Sequence, residues 1–152
     1  IAVSYEWEPC DVLKTLELYE SQFSKYTKKP GEDLNSILTG IVQEKGRVHF
    51  ELCEPLSYAE LSKFDGLTNN DYHKQVARLI DRRIHAAYRL YPNNYIAYDL
   101  RYGTTKYKHC YTVAEKEAFL KRLQTLEQYD TCDVDKLKDI FLGIYSNPVN
   151  NK

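Results

Sequence analysis

The four cysteines, Cys10, Cys53, Cys110 and Cys132, stand far apart with no C-x-x-C pair, a spacing that argues against a zinc knuckle or a dithiol redox motif. Free thiols in a reducing compartment are expected. No apolar run approaches the roughly 18 residues that a membrane-crossing helix needs. Excess charge of one sign is lacking too. With 21 basic and 22 acidic side chains the net charge is −1, so nucleic acid is not an expected partner and any electrostatic partner has to be held by a local patch. There is no G-x-S-x-G, no glycine-rich phosphate loop and no H-E-x-x-H. None of the histidines at 49, 73, 85 and 109 is followed five positions later by an aspartate. A self-contained catalytic motif is missing, and no metal site is expected. Repeats, low-complexity tracts and Gly/Ser linkers are missing as well, so 152 residues read as one domain spanning 1–152, long enough to bury about two thirds of its unfolded surface.

What is there begins with Ile1 to Tyr5, a strand pattern from the first residue, which suggests a fragment whose remaining strands lie upstream. Pro9 suits the first position of a helix running to about Tyr26, with Leu13, Leu16, Tyr19 or Glu20, and Phe23 inward. Leu34, Ile37, Leu38, Ile41 and Val42 form a full helical stripe closed by Gly46. In GRVHFELCEPLSYAE, Val48, Phe50 and Leu52 alternate with Arg47, His49 and Glu51, predicting a strand with one face covered by core. Pro55 ends it, and Ser57 with Glu60 has capping-box spacing for a short helix to about Phe64. A long helix is predicted from about Asp71 to Tyr91, stopped by Pro92-Asn93-Asn94. A short strand or extended segment over Tyr95 to Leu100 and an irregular Tyr-rich stretch to Tyr111 come next. Thr112 with Glu115 opens another helix that buries Phe119, Leu120, Leu123 and Leu126. The last, from Asp133, buries Leu137, Phe141 and Ile144 and ends at Asn147-Pro148. The fold class is α/β and helix-rich, with too few strands for a complete sheet.

Three features invite a functional reading. On the Asp71 to Tyr91 helix, Lys74, Arg78, Arg82, His85 and Arg89 fall in one wedge opposite His73, Val76, Ile80, Ile84, Ala87 and Tyr91. Such a stripe suits phosphates, a phospholipid head group or an anionic membrane surface, and equally an ordinary solvated face. Glu6, Glu8 and Asp11 cluster just past the first strand, where ligands often sit in α/β folds. Helix capping accounts for them more simply. The 14 tyrosines and Trp7 follow the helical and strand periods, as core and interface residues do. A hydrolase built around His49 or His109 has no nucleophile at a diagnostic spacing to support it.

With IAVSYEWEPCD at one end and GRVHFELCEPLS in the middle, the chain resembles the C-terminal half of bacterial glycerolipid acyltransferases, the lysophosphatidate acyltransferase superfamily. KKPGEDLNSILTGI, RLYPNNYIAYDLRYGT and DIFLGIYSNPV look like a bacterial subgroup of 1-acyl-glycerol-3-phosphate acyltransferases. The resemblance implies the C-terminal part of a mixed sheet with flanking helices, and a catalytic histidine and aspartate in an N-terminal half that lies outside this chain. It implies an acyl-CoA or acyl-carrier-protein thioester as donor, no bound cofactor, a lipid acceptor, and a cytoplasmic location with peripheral contact to the inner face of the cell membrane. Acyl carrier protein becomes an expected partner. Val3, Ser4 and Tyr5 look like the strand near the acyl-binding part of the site, with Glu6 following by adjacency. The rival reading is a non-catalytic module whose basic helix, residues 71 to 91, binds an anionic lipid or protein.

Overall fold

A computed structural model describes residues 1–151. Nine regular elements follow in the order β1 (Ala2–Tyr5), α1 (Asp11–Glu20), α2 (Glu32–Val42), β2 (Val48–Glu51), α3 (Tyr58–Leu61), α4 (Asn69–Ala87), α5 (Pro92–Tyr102), α6 (Val113–Gln124) and α7 (Val134–Asn150). The class is mixed α/β and helix-rich, with β1 and β2 forming a two-stranded antiparallel sheet. The residues gather into two compact units. One comprises Ile1–Ser4 and His49–Arg89, the other Tyr5–Val48 and Leu90–Asn151.

The second unit holds the hydrophobic core. Ile96 and Ala97 of α5, Phe119 and Leu123 of α6, Leu126, and Leu137, Phe141 and Tyr145 of α7 are buried together. Trp7 stacks on Phe119 at 6.0 Å between ring centroids, and the Tyr145 ring meets Phe119 edge-on at 5.2 Å. Capping chemistry sets where these helices begin. Thr112 and Glu115 form the expected capping box, and Asp133 accepts from the Lys136 N–H at 3.1 Å. Asn94 does double duty, accepting from the Tyr91 N–H at 2.7 Å and donating to the Tyr145 carbonyl at 2.9 Å.

Several sequence expectations are corrected here. The Tyr95 to Leu100 stretch is the middle of α5, not a strand: Pro92 is helix-opening, and Asn93, Asn94, Ile96, Ala97 and Asp99 are buried on a helical period. The β preference of Tyr and Ile is overridden by packing against α7. The first helix starts at Asp11 rather than Pro9, because Cys10 takes a left-handed φ of 60°, and it ends at Glu20. Pro148 lies inside the last turn of α7, which runs on to Asn150.

The larger correction concerns coverage. α2 forms as its stripe predicts, yet Leu34, Ile37, Leu38, Ile41 and Val42 are 52–79% exposed and no residue of α2 is buried. The helix is held by its other side. Cys10 Sγ donates to the Ser36 carbonyl at 3.2 Å, and a Cβ on Gly40 would lie 3.5 Å from that sulfur.

In the first unit Ala2 and Ser4 are buried on β1, while Phe50 and Leu52 are 60% and 73% exposed; Val48, which the division assigns to the second unit, is 51% exposed. The apolar face of β2 is thus not covered by core, because the sheet has only two strands of four residues each. The Ser57/Glu60 capping box opens α3 as expected. Arg83 of α4 ties that turn down, donating to the Glu54 carbonyl at 2.9 Å and to Glu60 at 2.5 Å. Bonds from the Ser57 N–H and hydroxyl, then Arg83, hold the Glu60 carboxyl down at about 2.

Candidate functional site

The predicted cationic stripe survives in shortened form. Lys74, Arg78 and Arg82 project from α4 and are exposed, and His85 is half-buried at the edge of the row. α4 starts earlier than expected, capped by the Thr68 hydroxyl, and stops at Ala87. Arg89 therefore falls beyond it and leaves the helical row, its backbone N–H donating to Ser4 Oγ at 3.1 Å. Lys74 lies 3.7 Å from Asp71, whereas no ion pair engages Arg78 or Arg82 among the described residues. On the opposite side Val76 and Ile84 are half-buried, but Ile80 and His73 are exposed, so the core face of α4 is only partly filled.

Residues 3 to 6 take up separate tasks. Val3 is half-buried, and Ser4 is fully buried with its hydroxyl oxygen committed to the Arg89 amide. Tyr5 is half-buried and belongs with Glu6 to the second unit. Glu6 accepts from the Arg47 N–H at 2.9 Å and from its guanidinium at 2.8 and 3.1 Å, and Arg47 holds the carboxyl below its usual range. Ser4 Oγ and the Glu6 carboxylate are thus both engaged within the protein.

Among the histidines, the His49 ring lies 3.2 Å from Glu51 and 3.1 Å from the Ala87 carbonyl. No hydroxyl or thiol bonds to any histidine ring, and no group of three or more His, Cys, Asp or Glu could hold a metal, among the described residues.

The most organised polar constellation of the second unit joins residues more than a hundred positions apart. Asp11, at the first position of α1, has a side chain with no exposure. Its carboxylate receives Arg122 of α6 at 2.5 and 3.2 Å and the Tyr145 hydroxyl at 2.8 Å. Gln43 donates to the same carboxylate at 3.3 Å and to the Glu8 carbonyl at 3.1 Å, and accepts from the Cys10 N–H at 3.0 Å. The Tyr145 hydroxyl in turn accepts from the Glu8 N–H at 3.0 Å. Burial and the Asp11 charge push Tyr145 far up, so it stays a neutral donor, and Asp11 raises Arg122 further.

Arg122, Lys121, Gln43, Glu44, Thr125 and the face of Trp7 line a cavity of about 480 Å³ over this node. Capping by Glu8 or Asp11 is the simpler expectation for the acidic cluster, but the N-cap of α1 is Cys10, with no side-chain cap bond; Asp11 is the first helical residue, and its Oδ1 accepts from the adjacent Val12 N–H at 2.8 Å. Arg122 was out of reach, because nothing local in FLKRLQ marks that arginine from its neighbours as the partner of a residue in α1.

No protein-family model matches the chain, and neither does any curated protein or solved structure.

Proposed function

We propose that this chain is the C-terminal part of a glycerolipid acyltransferase, which moves a fatty acyl group from an acyl-CoA or acyl-carrier-protein thioester to the hydroxyl of a lysophosphatidate-type acceptor. The observation that carries the reading is the uncovered apolar face of β2. Val48, Phe50 and Leu52 alternate as a covered strand does, yet they stand open on a sheet of two short strands. A sheet of that size needs further strands or a covering layer, and the resemblance implies that the missing strands come from the half that carries the catalytic motif. Acyl transfer requires a base to take the proton of the acceptor hydroxyl as that oxygen attacks the thioester carbonyl and the thiolate leaves. This chain's histidines are not arranged for that step, so the base belongs to the completing half, and the chain alone is inactive.

The test compares this chain with the full product of its reading frame, using a labelled long-chain acyl thioester and lysophosphatidate. Transfer by the full product alone supports the reading. A folded full product that transfers nothing overturns it. A second reading, an anionic-lipid or protein interaction module, draws on the unpaired, exposed Arg78 and Arg82 of α4. It predicts salt-sensitive binding to anionic vesicles that is lost when both arginines become alanine.

A further inference from the structure

We infer that α2 is an interfacial anchor that seats this protein on a lipid surface. The helix packs inside out. Its small and polar side, Ser36, Thr39 and Gly40, is half-buried, with Ser36 and Gly40 against Cys10, while all five aliphatic side chains of the stripe project outward. Gln43, just past its end, fixes the orientation through its bonds to Cys10, Glu8 and Asp11. Rotation to bury the stripe would break those contacts, so its exposure is built into the packing of the unit.

Composition, area and charge select lipid as the occupant. The stripe contains only Leu, Ile and Val, without the Trp, Tyr or Arg anchors that concentrate binding energy in protein interfaces. At these exposures it offers roughly 500 Å² of aliphatic surface. That is at the upper end of what a monomer leaves open, and short of the about 800 Å² per partner that a stable dimer buries. Lys25, Lys28 and Lys29 precede the helix and Lys45 and Arg47 follow it, five basic against three acidic side chains over residues 25 to 47. Lys28 is paired with Asp33, Arg47 with Glu6, and Lys45 donates to the Ile41 and Gln43 carbonyls, so Lys25 and Lys29, ahead of the helix, are the cations open to a phosphate. Long lysine stems can lie along an apolar surface while their ammonium groups reach phosphate oxygens. An apolar stripe with open lysines at its N-terminal approach suits a helix lying in the head-group plane of an anionic leaflet.

This inference does not depend on acyl transfer: a protein that binds vesicles through α2 and transfers no acyl group keeps it and loses the acyltransferase reading. The test is co-sedimentation of the chain with phosphatidylglycerol-containing vesicles, comparing the native sequence with a Leu38→Ser/Ile41→Ser variant. Both positions are exposed, so the variant keeps its fold, which circular dichroism checks. The expected result is binding by the native chain and a drop of about ten-fold or more in partitioning for the variant. Absence of binding, or binding unchanged by the substitutions, overturns the inference. So does sedimentation of the native chain as a dimer that the same substitutions dissociate, since a second copy is then the occupant.

Discussion

Replacing Arg122 by methionine keeps most of the side-chain volume and removes the charge opposite Asp11. The Asp11 side chain has no exposure, and that of Arg122 is 32% exposed. After the substitution the carboxylate keeps the Tyr145 hydroxyl, the Gln43 amide and the Val12 N–H, but no counter-charge. Breaking a buried pair from one side costs about 3–5 kcal/mol, and the part-exposed guanidinium places this case near the lower end, about 3 kcal/mol. For a chain of this size that corresponds to a fall in Tm of roughly 6–12 °C. Urea unfolding followed by circular dichroism measures it, with the slope of the transition as a check on two-state behaviour. An Asp11→Asn/Arg122→Met double variant should recover about 2 kcal/mol of the summed single losses, since no unpaired charge then remains. A loss below about 1 kcal/mol for Arg122→Met, or strictly additive losses in the double variant, would refute the view that this ion pair clamps α1 to α6.

Gly46 has a φ of 61°, and a Cβ there would lie 2.6 Å from Glu6 Oε2. Gly46→Ala should therefore cost about 1–3 kcal/mol in urea unfolding and let the Glu6 carboxyl titrate closer to its ordinary value as the Arg47 contact loosens; a change within about 0.5 kcal/mol would disprove the clash. In the first unit, Glu60 is held at about 2 against an ordinary 4.5. A folded value below the unfolded one means that the capping-box contribution is fully present above about 4.5 and is lost as pH falls toward 2. An NMR titration of the Glu60 carboxyl and the Ser57 amide should show one shared midpoint near the lower value, and a midpoint near 4.5 would contradict the geometry.

Sequence pattern recovered the local events and missed those that depend on distant partners. The Ser57/Glu60 and Thr112/Glu115 caps are written in spacings of three, and both form. The stripes of α2 and α6 set their helices correctly because a 3.6-residue period is a local property. Period does not say what a face meets. On α6, Phe119 and Leu123 are buried, whereas on α2 the equally regular stripe is open, and nothing within either segment distinguishes them. The Tyr95 to Leu100 error has the same origin. Tyr and Ile favour strands on average, and α7, more than thirty residues later in sequence, makes this segment helical. Of the expected site residues, Lys74, Arg78 and Arg82 keep their shared exposed face because α4 continues through them. Arg89 leaves it because the chain extends at Tyr88 before the predicted end.

The two units differ in what holds them, and that difference orders the functional questions. The second unit carries an interior of interlocked aromatic rings and a buried carboxylate with every bond assigned, so it has the means to fold around its own core. Among the described residues of the first unit only the small side chains of Ala2 and Ser4 are buried, and Phe50, Leu52, Tyr58 and Leu67 are between 47% and 82% exposed. A sheet with that little interior opens locally at small free-energy cost unless another surface covers it. Amide exchange along Ala2–Tyr5 and Val48–Glu51 reads this directly. Fast exchange in the isolated chain that slows in the full reading-frame product would place the completing surface on this sheet, as the acyltransferase reading requires. Equal protection in both would mean that β1 and β2 are complete as they stand, and would remove the observation on which that reading rests.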